Sequence, residues 1–187
     1  MTNLNIQIEQ LASTDARERD VAAEEIYIAG SILARRASKT WFKDEEFAAI
    51  VGIEPTITVG IAVAPSLFEK IREANGSPRL AEVPPEQDAK EFELHFTGIA
   101  IDVLTTNAPG GKGAIARYLA RFGEGIQQVE FLCEDVDRAT AILRERFALH
   151  AVYPETRNGA DGTRVNFFLA STPEHEKVLI ELYEKKA

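Results

Sequence analysis

The sequence predicts an α+β fold in which two tandem βαβββ modules follow an N-terminal helical extension. Three observations carry that expectation. Residues 56–106 read strand, helix, loop, strand, strand, and residues 126–184 repeat the order with a further short strand in the loop. The strand runs alternate with period two, while the helical segments place apolar residues three and four apart. A joining helix at 112–123, stopped by Gly123, lies between the repeats.

The extension spans residues 1–54, ahead of a domain at 55–187. Asp15 stands as an N-cap with Glu18 three residues on, and Ala22, Ile26, Ala29 and Leu33 fall at helical spacing behind it. A second helix is expected from Asp44 to Val51, with Gly52 as its stop. Neither helix carries a catalytic constellation, so both are expected to pack on the body of the protein or on a second subunit.

In the first module, TITVGIAV reads as a strand. PSLFEKIREANG reads as a helix with a Ser66/Glu69 capping box and Gly76 at its end. EFELHF and IAIDVL, joined at Thr97-Gly98, read as a hairpin. The joining helix is expected to put Ile115, Leu119 and Phe122 on one face. In the second module, IQQVEFLC, RVNFFLA and KVLIELYE are strands and DVDRATAILRERF a helix. Thr58 of the first module aligns with Gln128 of the second, and Asp102 with Glu181.

Composition narrows the partners. The 187 residues hold 21 Lys and Arg against 30 Asp and Glu, a net charge of −9 with a pI near 4.9. Nucleic acid and anionic membrane surfaces each need a clustered basic face, so neither is expected. Cys133 is the one cysteine, which excludes an internal disulfide. No signal-like N-terminus or membrane-length apolar run stands out, so a cytoplasmic protein is expected.

Alternation then draws a site. Val178, Ile180 and Leu182 share one face of the last strand, and Leu179, Glu181 and Tyr183 the other. Likewise Val129, Phe131 and Cys133 oppose Gln128, Glu130 and Leu132, and Ile99, Ile101 and Val103 oppose Ala100, Asp102 and Leu104. One polar group among apolar neighbours suits the wall of a semi-enclosed cavity, although an outward-facing convex surface would read similarly. His95 lies opposite the Phe92, Leu94 and Phe96 face and could reach the same cavity. His150 and His175 fall in solvated contexts.

Residues 56–184 resemble the vicinal oxygen chelate superfamily, and within it methylmalonyl-CoA epimerases are most alike. The likeness is carried by VGIAV, VPPEQDAKEFEL, ARYLARFGEGIQQVEF and GTRVNFFLASTPEHEKVLIELYE. It implies a divalent-metal position at Thr58, Asp102, Gln128 and Glu181, with Thr58 and Gln128 standing where the epimerases usually have histidine. Thr and Gln are weak neutral donors, so the resemblance implies a degenerate or absent metal site. If a metal binds, its ligands are expected from Asp102, Glu181 and Gln128.

The resemblance further implies Glu181 and Glu86 as proton-transfer residues beside a substrate carbonyl. Gln128, Thr58, Asp102, Glu130, Tyr183 and His95 would then contact substrate. In GEGIQQVEF, Gln128 would orient substrate or hydrogen-bond Glu181, and Gln127 on the opposite face would be structural. An enzyme of the isomerase, epimerase or cyclase type is expected, acting on an acyl thioester or other carbonyl compound, as a homodimer. The alternative is a non-catalytic protein of the same fold that binds a small molecule. Lys112, Arg117, Arg121, Arg157 and Arg164 are the cations available for a thioester's phosphates.

Overall fold

A computed structural model describes residues 3–185. Six α-helices and seven strands are assigned within that range: α1 (Leu4–Gln10), α2 (Ala16–Ser38), α3 (Glu45–Val51), β1 (Ile57–Ala62), α4 (Pro65–Ala74), β2 (Ala89–Phe96), β3 (Ile99–Thr106), α5 (Ala114–Phe122), β4 (Gly125–Leu132), α6 (Val136–Phe147), β5 (Arg157–Asn158), β6 (Arg164–Ser171) and β7 (Lys177–Glu184). The order is α+β, with the paired modules and the helical extension as expected. No helix among the described residues is long and apolar enough to cross a membrane. The chain divides into two compact units, one formed by residues up to 30 with 58–127, the other by 31–57 with the rest from 128.

In the first unit β3 is central, antiparallel to β2 and parallel to β1. The segment after α4 stays a loop where the second module has β5. It follows β2 through the bond from Ala81 N to Glu91 O, 3.0 Å. Val59, Ile61, Ile101 and Val103 are fully buried, and Phe68 of α4 meets Phe92 of β2 edge-on at 4.7 Å between ring centroids. The capping box at Ser66 does not form. Pro65 takes the first helical position, where its missing N–H costs nothing, and Ala64 is the cap residue. The Ala64 N–H instead donates to Glu124 Oε1 at 3.0 Å.

α5 packs Ile115, Tyr118 and Leu119 against Ala62, Ala89 and Leu104. Phe122 leaves that face. It is 62% exposed, with Tyr118 at 5.2 Å and the Arg121 guanidinium 5.0 Å from its ring centroid. On α2 the Asp15 carboxylate accepts from Arg17 N at 2.8 Å, as a cap should. The buried stripe differs from the expected one. Ala22, Ile26 and Gly30 are buried at four-residue steps while Ala29 is exposed. Gly30 explains the choice, because a Cβ built there would lie 2.7 Å from both γ-methyls of Val59. Only the side with no side chain fits against the strand.

In the second unit β7 is central, parallel to β4 and antiparallel to β6, and β6 pairs with the two-residue β5. Val129, Phe131, Ile180 and Leu182 are fully buried on one face. Beyond them Trp41 meets Phe47 at 6.0 Å and Phe168 at 6.2 Å, both edge-on. Asp135 caps α6 by accepting from Arg138 N at 2.8 Å, and Glu184 accepts from Val136 N at 3.0 Å. Arg138 and Arg146 on α6 grip Glu46 and Asp44 at the start of α3, with the bond from Arg138 Nε to Glu46 Oε1 at 2.5 Å. These guanidiniums pull the Glu46 pKa down to about 2, and the hydrogen bond from Arg146 also lowers that of Asp44.

Candidate functional site

The second unit builds a polar centre from two neighbouring strands. β4 and β7 run parallel with Glu130 as the cross-strand partner of Glu181, so both carboxylates leave the same sheet face. Gln128 lies two residues earlier on β4 and shares that face. Its amide Nε2 donates to Glu181 Oε2 at 2.6 Å and to Glu130 Oε1 at 2.9 Å. Gln128 and Glu181 are buried at 6% and 8% exposure, and Glu130 is half-buried. Two acceptors on one NH2 group use both of its hydrogens. That bridging satisfies polar groups that would be costly to bury bare.

Of the two expectations for Gln128, the hydrogen bond to Glu181 is formed. Both of its N–H groups are directed at carboxylates, and its carbonyl oxygen is an acceptor. Gln128 and Glu181 do not form a cation-binding pair as arranged. The amide turns its N–H side toward the carboxylate, and a cation bridging the two would need the carbonyl side. Among the described residues no three His, Cys, Asp or Glu side chains converge as a metal-holding group.

Around the centre the same face is apolar and aromatic. Phe167 on β6 is the partner of Glu181, Leu169 the partner of Leu179, and Val165 the partner of Tyr183. Tyr183 and Phe167 are half-buried, while Leu169 is 56% exposed. Tyr153 stands edge-on to Phe167 at 5.9 Å, and the Arg157 guanidinium lies 4.3 Å from the Tyr153 ring centroid. The alternation of β7 and β4 pointed to Glu181, Glu130, Gln128 and Tyr183 as neighbours. It did not point to Phe167 or Leu169, which enter through the register of β6 that the turn at Thr172–Glu176 sets, nor to Tyr153, which the loop before β5 brings alongside β6 through Val152 N donating to Phe167 O at 2.7 Å. That turn closes with Thr172 N donating to Glu176 O at 2.9 Å.

The first unit holds the remaining candidates. Asp102 on β3 is 8% exposed, between Gly60 of β1 and Glu93 of β2 as cross-strand partners. Thr58, 4% exposed, precedes Gly60 by two residues and shares its face. His95 lies two residues after Glu93. Its side chain is 72% exposed and its Nε2 stands 3.4 Å from the Glu93 carboxylate, so it turns to solvent beside an acid. Glu86 sits exposed on the 3-10 turn Pro85–Gln87, ahead of Asp88 in a left-handed conformation. Gln127, opposite in face to Gln128, carries a buried amide oxygen without a hydrogen-bond partner.

The candidate phosphate-binding cations are variously engaged. Arg164 donates to Asp137 Oδ2 at 2.5 Å and to Thr156 Oγ1 at 2.8 Å, and Asp137 raises its already high pKa. Arg157 and Arg121 lie over aromatic rings. Arg117 and Lys112 are exposed. Cys133 is buried and donates weakly to Tyr183 O at 3.3 Å, and burial pushes its thiol up to about 12.

Comparison with known proteins agrees with this fold. A methylmalonyl-CoA epimerase from Mycobacterium tuberculosis matches with a TM-score of 0.58 at 28% identity, over 75% of this chain and 93% of its own. A Streptomyces coelicolor methylmalonyl-CoA epimerase variant, in complex with 2-nitronate-propionyl-CoA, matches at 0.56 and 26%, over 71% and 98%. A methylmalonyl-CoA epimerase in complex with methylmalonyl-CoA and NH4+ matches at 0.56 and 26%, over 71% and 95%. No protein-family profile and no curated protein matches the chain. The fold is that of vicinal oxygen chelate proteins, preceded by helices. In structure the chain is similar to methylmalonyl-CoA epimerases.

Proposed function

We propose that the chain is an enzyme of the vicinal oxygen chelate fold that moves a proton at a carbon next to a carbonyl, with Glu181 as the base. The bond from Gln128 to Glu181 carries this reading, because it holds one carboxylate oxygen in a fixed direction on a face with a hydrocarbon surround. In the step, the substrate's C–H bond breaks and its proton passes to the Glu181 carboxylate. The electron pair left behind moves onto the carbonyl oxygen as an enolate. A positioned carboxylate of this kind supplies on the order of 10²–10⁴ in rate. The likeness to epimerases that bind acyl-CoA compounds supports an acyl thioester as the substrate class.

Glu86 is the resemblance's second proton-transfer residue, and Thr58 and Asp102 are its further substrate contacts. These assignments, the homodimer and a cytoplasmic setting belong to the same proposal. The test is α-proton exchange of methylmalonyl-CoA and uncharged 2-methylacyl-CoA thioesters in D2O, followed by NMR. Exchange that Glu181→Gln abolishes supports the enzyme. Glu86→Gln and sedimentation of the intact chain test the other assignments separately.

One observation favours a second reading, in which the protein binds a carbonyl compound without turning it over. Both Gln128 N–H groups are spent on carboxylates, which removes one donor an enolate would use. Under that reading Glu181→Gln changes ligand affinity, and no exchange occurs.

A further inference from the structure

We infer that Phe167, with Leu169 and Leu179, forms an apolar shelf that selects an uncharged hydrocarbon substituent on the reacting carbon, rather than a second carboxylate. The inference rests on the proton-transfer reading of Glu181 above and names the substrate class of that site. Phe167 is directly across the antiparallel ladder from Glu181, and Leu169 is directly across from Leu179. Directly opposed side chains stand about 4.5–5.5 Å apart at Cβ. A group held against the Glu181 carboxylate is therefore within reach of the Phe167 ring.

The shelf is open. Leu169 is 56% exposed, and Phe167 and Leu179 are half-buried. Tyr153 backs the Phe167 ring edge-on at 5.9 Å and holds it in place. A strand face turned to bulk water is normally polar, so an exposed Leu and a half-buried Phe beside a buried acid mark a surface suited to cover by an apolar group. The other flank of Glu181 is Glu130, tied to it through the Gln128 amide. A substrate bearing its own carboxylate would set a third carboxyl group beside these two. A substrate bearing an alkyl or aryl group brings hydrocarbon to the ring and no charge to the acids. The occupant is the side chain of a 2-alkyl or 2-aryl acyl thioester, on the face continuous with Glu181.

The experiment compares methylmalonyl-CoA with 2-phenylpropionyl-CoA on the intact chain, following α-proton exchange in D2O and binding by calorimetry. The expected result is at least tenfold greater kcat/KM for the aryl thioester. Phe167→Ala should then raise its KM at least tenfold with kcat little changed, and Phe167→Leu should restore most of the loss. A thermal melt confirms that each variant folds. Equal or better exchange of methylmalonyl-CoA overturns the shelf and leaves Glu181 as base. Tighter, Phe167-dependent binding of the aryl thioester without exchange supports the shelf while the base assignment fails. Absence of both exchange and binding for the aryl thioester overturns both.

Discussion

Gln128 places its amide nitrogen 2.6 Å from one carboxylate oxygen of Glu181, and the same nitrogen reaches Glu130 at 2.9 Å. One neutral side chain thus holds two acids on neighbouring strands. An arginine there would neutralise them. The amide adds no charge of its own and fixes where they point, and the consequences are measurable.

Replacing Glu181 with Gln keeps the shape of the side chain and removes the proton acceptor. We expect α-proton exchange to fall by about 10²–10⁴, with the far-UV circular dichroism unchanged. An exchange rate within a few-fold of the parent would remove Glu181 from the chemistry.

Gln128→Leu deletes the donor shared by a buried carboxylate, Glu181, and a half-buried one, Glu130. The expected loss is about 1–3 kcal/mol of folding stability, seen as a lower urea midpoint with an unchanged slope. An unaltered midpoint would mean that the amide's two hydrogen bonds contribute little to the fold.

The α3–α6 clamp gives a pH dependence with a definite sign. Arg138 and then Arg146 hold Glu46 at about 2 against an ordinary value of 4.5. A carboxyl depressed on folding stabilises the protein above its unfolded value and loses that contribution as pH falls. Stability should therefore decline between pH 4.5 and 2 in part through this group, and Glu46→Gln should flatten that part of the profile. The effect is small, because the pair is solvent-exposed. Parallel profiles for parent and variant would assign the acid transition elsewhere, with Asp137, lowered by Thr156 and Arg164, as the next group to test.

Burial, reinforced by the charges of Glu184 and Asp135, keeps the Cys133 thiol protonated far above neutrality. The thiolate is the reactive form, so a disulfide reagent at pH 8 should label the chain only after denaturant is added. Stoichiometric labelling of the native protein would show that β4 opens readily at its end.

At Gly30 a methyl group has no space, with both Val59 γ-methyls 2.7 Å from the Cβ it would add. Gly30→Ala gains about 1 kcal/mol of helix propensity, yet overpacking of this kind costs about 1–3 kcal/mol. We expect a net fall in melting temperature, recovered in part by adding Val59→Ala. A higher melting temperature for Gly30→Ala alone would show that α2 shifts freely.

Much of this fold was legible because strand alternation is a local signal. Val178, Ile180 and Leu182 declare a buried face without any knowledge of their partners, and Glu181 is then set on the other. The repeat aligned Gln128 with Thr58 for the same reason. What stayed hidden depends on pairing and on close approach. Phe167 reaches Glu181 through a register set by a turn. Ser66 lost its capping role because Pro65 is better suited to the first helical position. The burial of Gly30 in place of Ala29 depends on Val59, which no helical periodicity contains. Phe122 follows the spacing of Ile115 and Leu119, but it falls at the last residue of α5, where the covered face has ended.

The crossing of Gly30 over Val59 has a consequence for how such a chain can change over time. A side chain absent at one position sets the size permitted at the other, so the two sites share a single volume. Among related sequences, a larger residue at 30 should be found only with a smaller one at 59. The opening helices and the first strand are thereby bound to a common history.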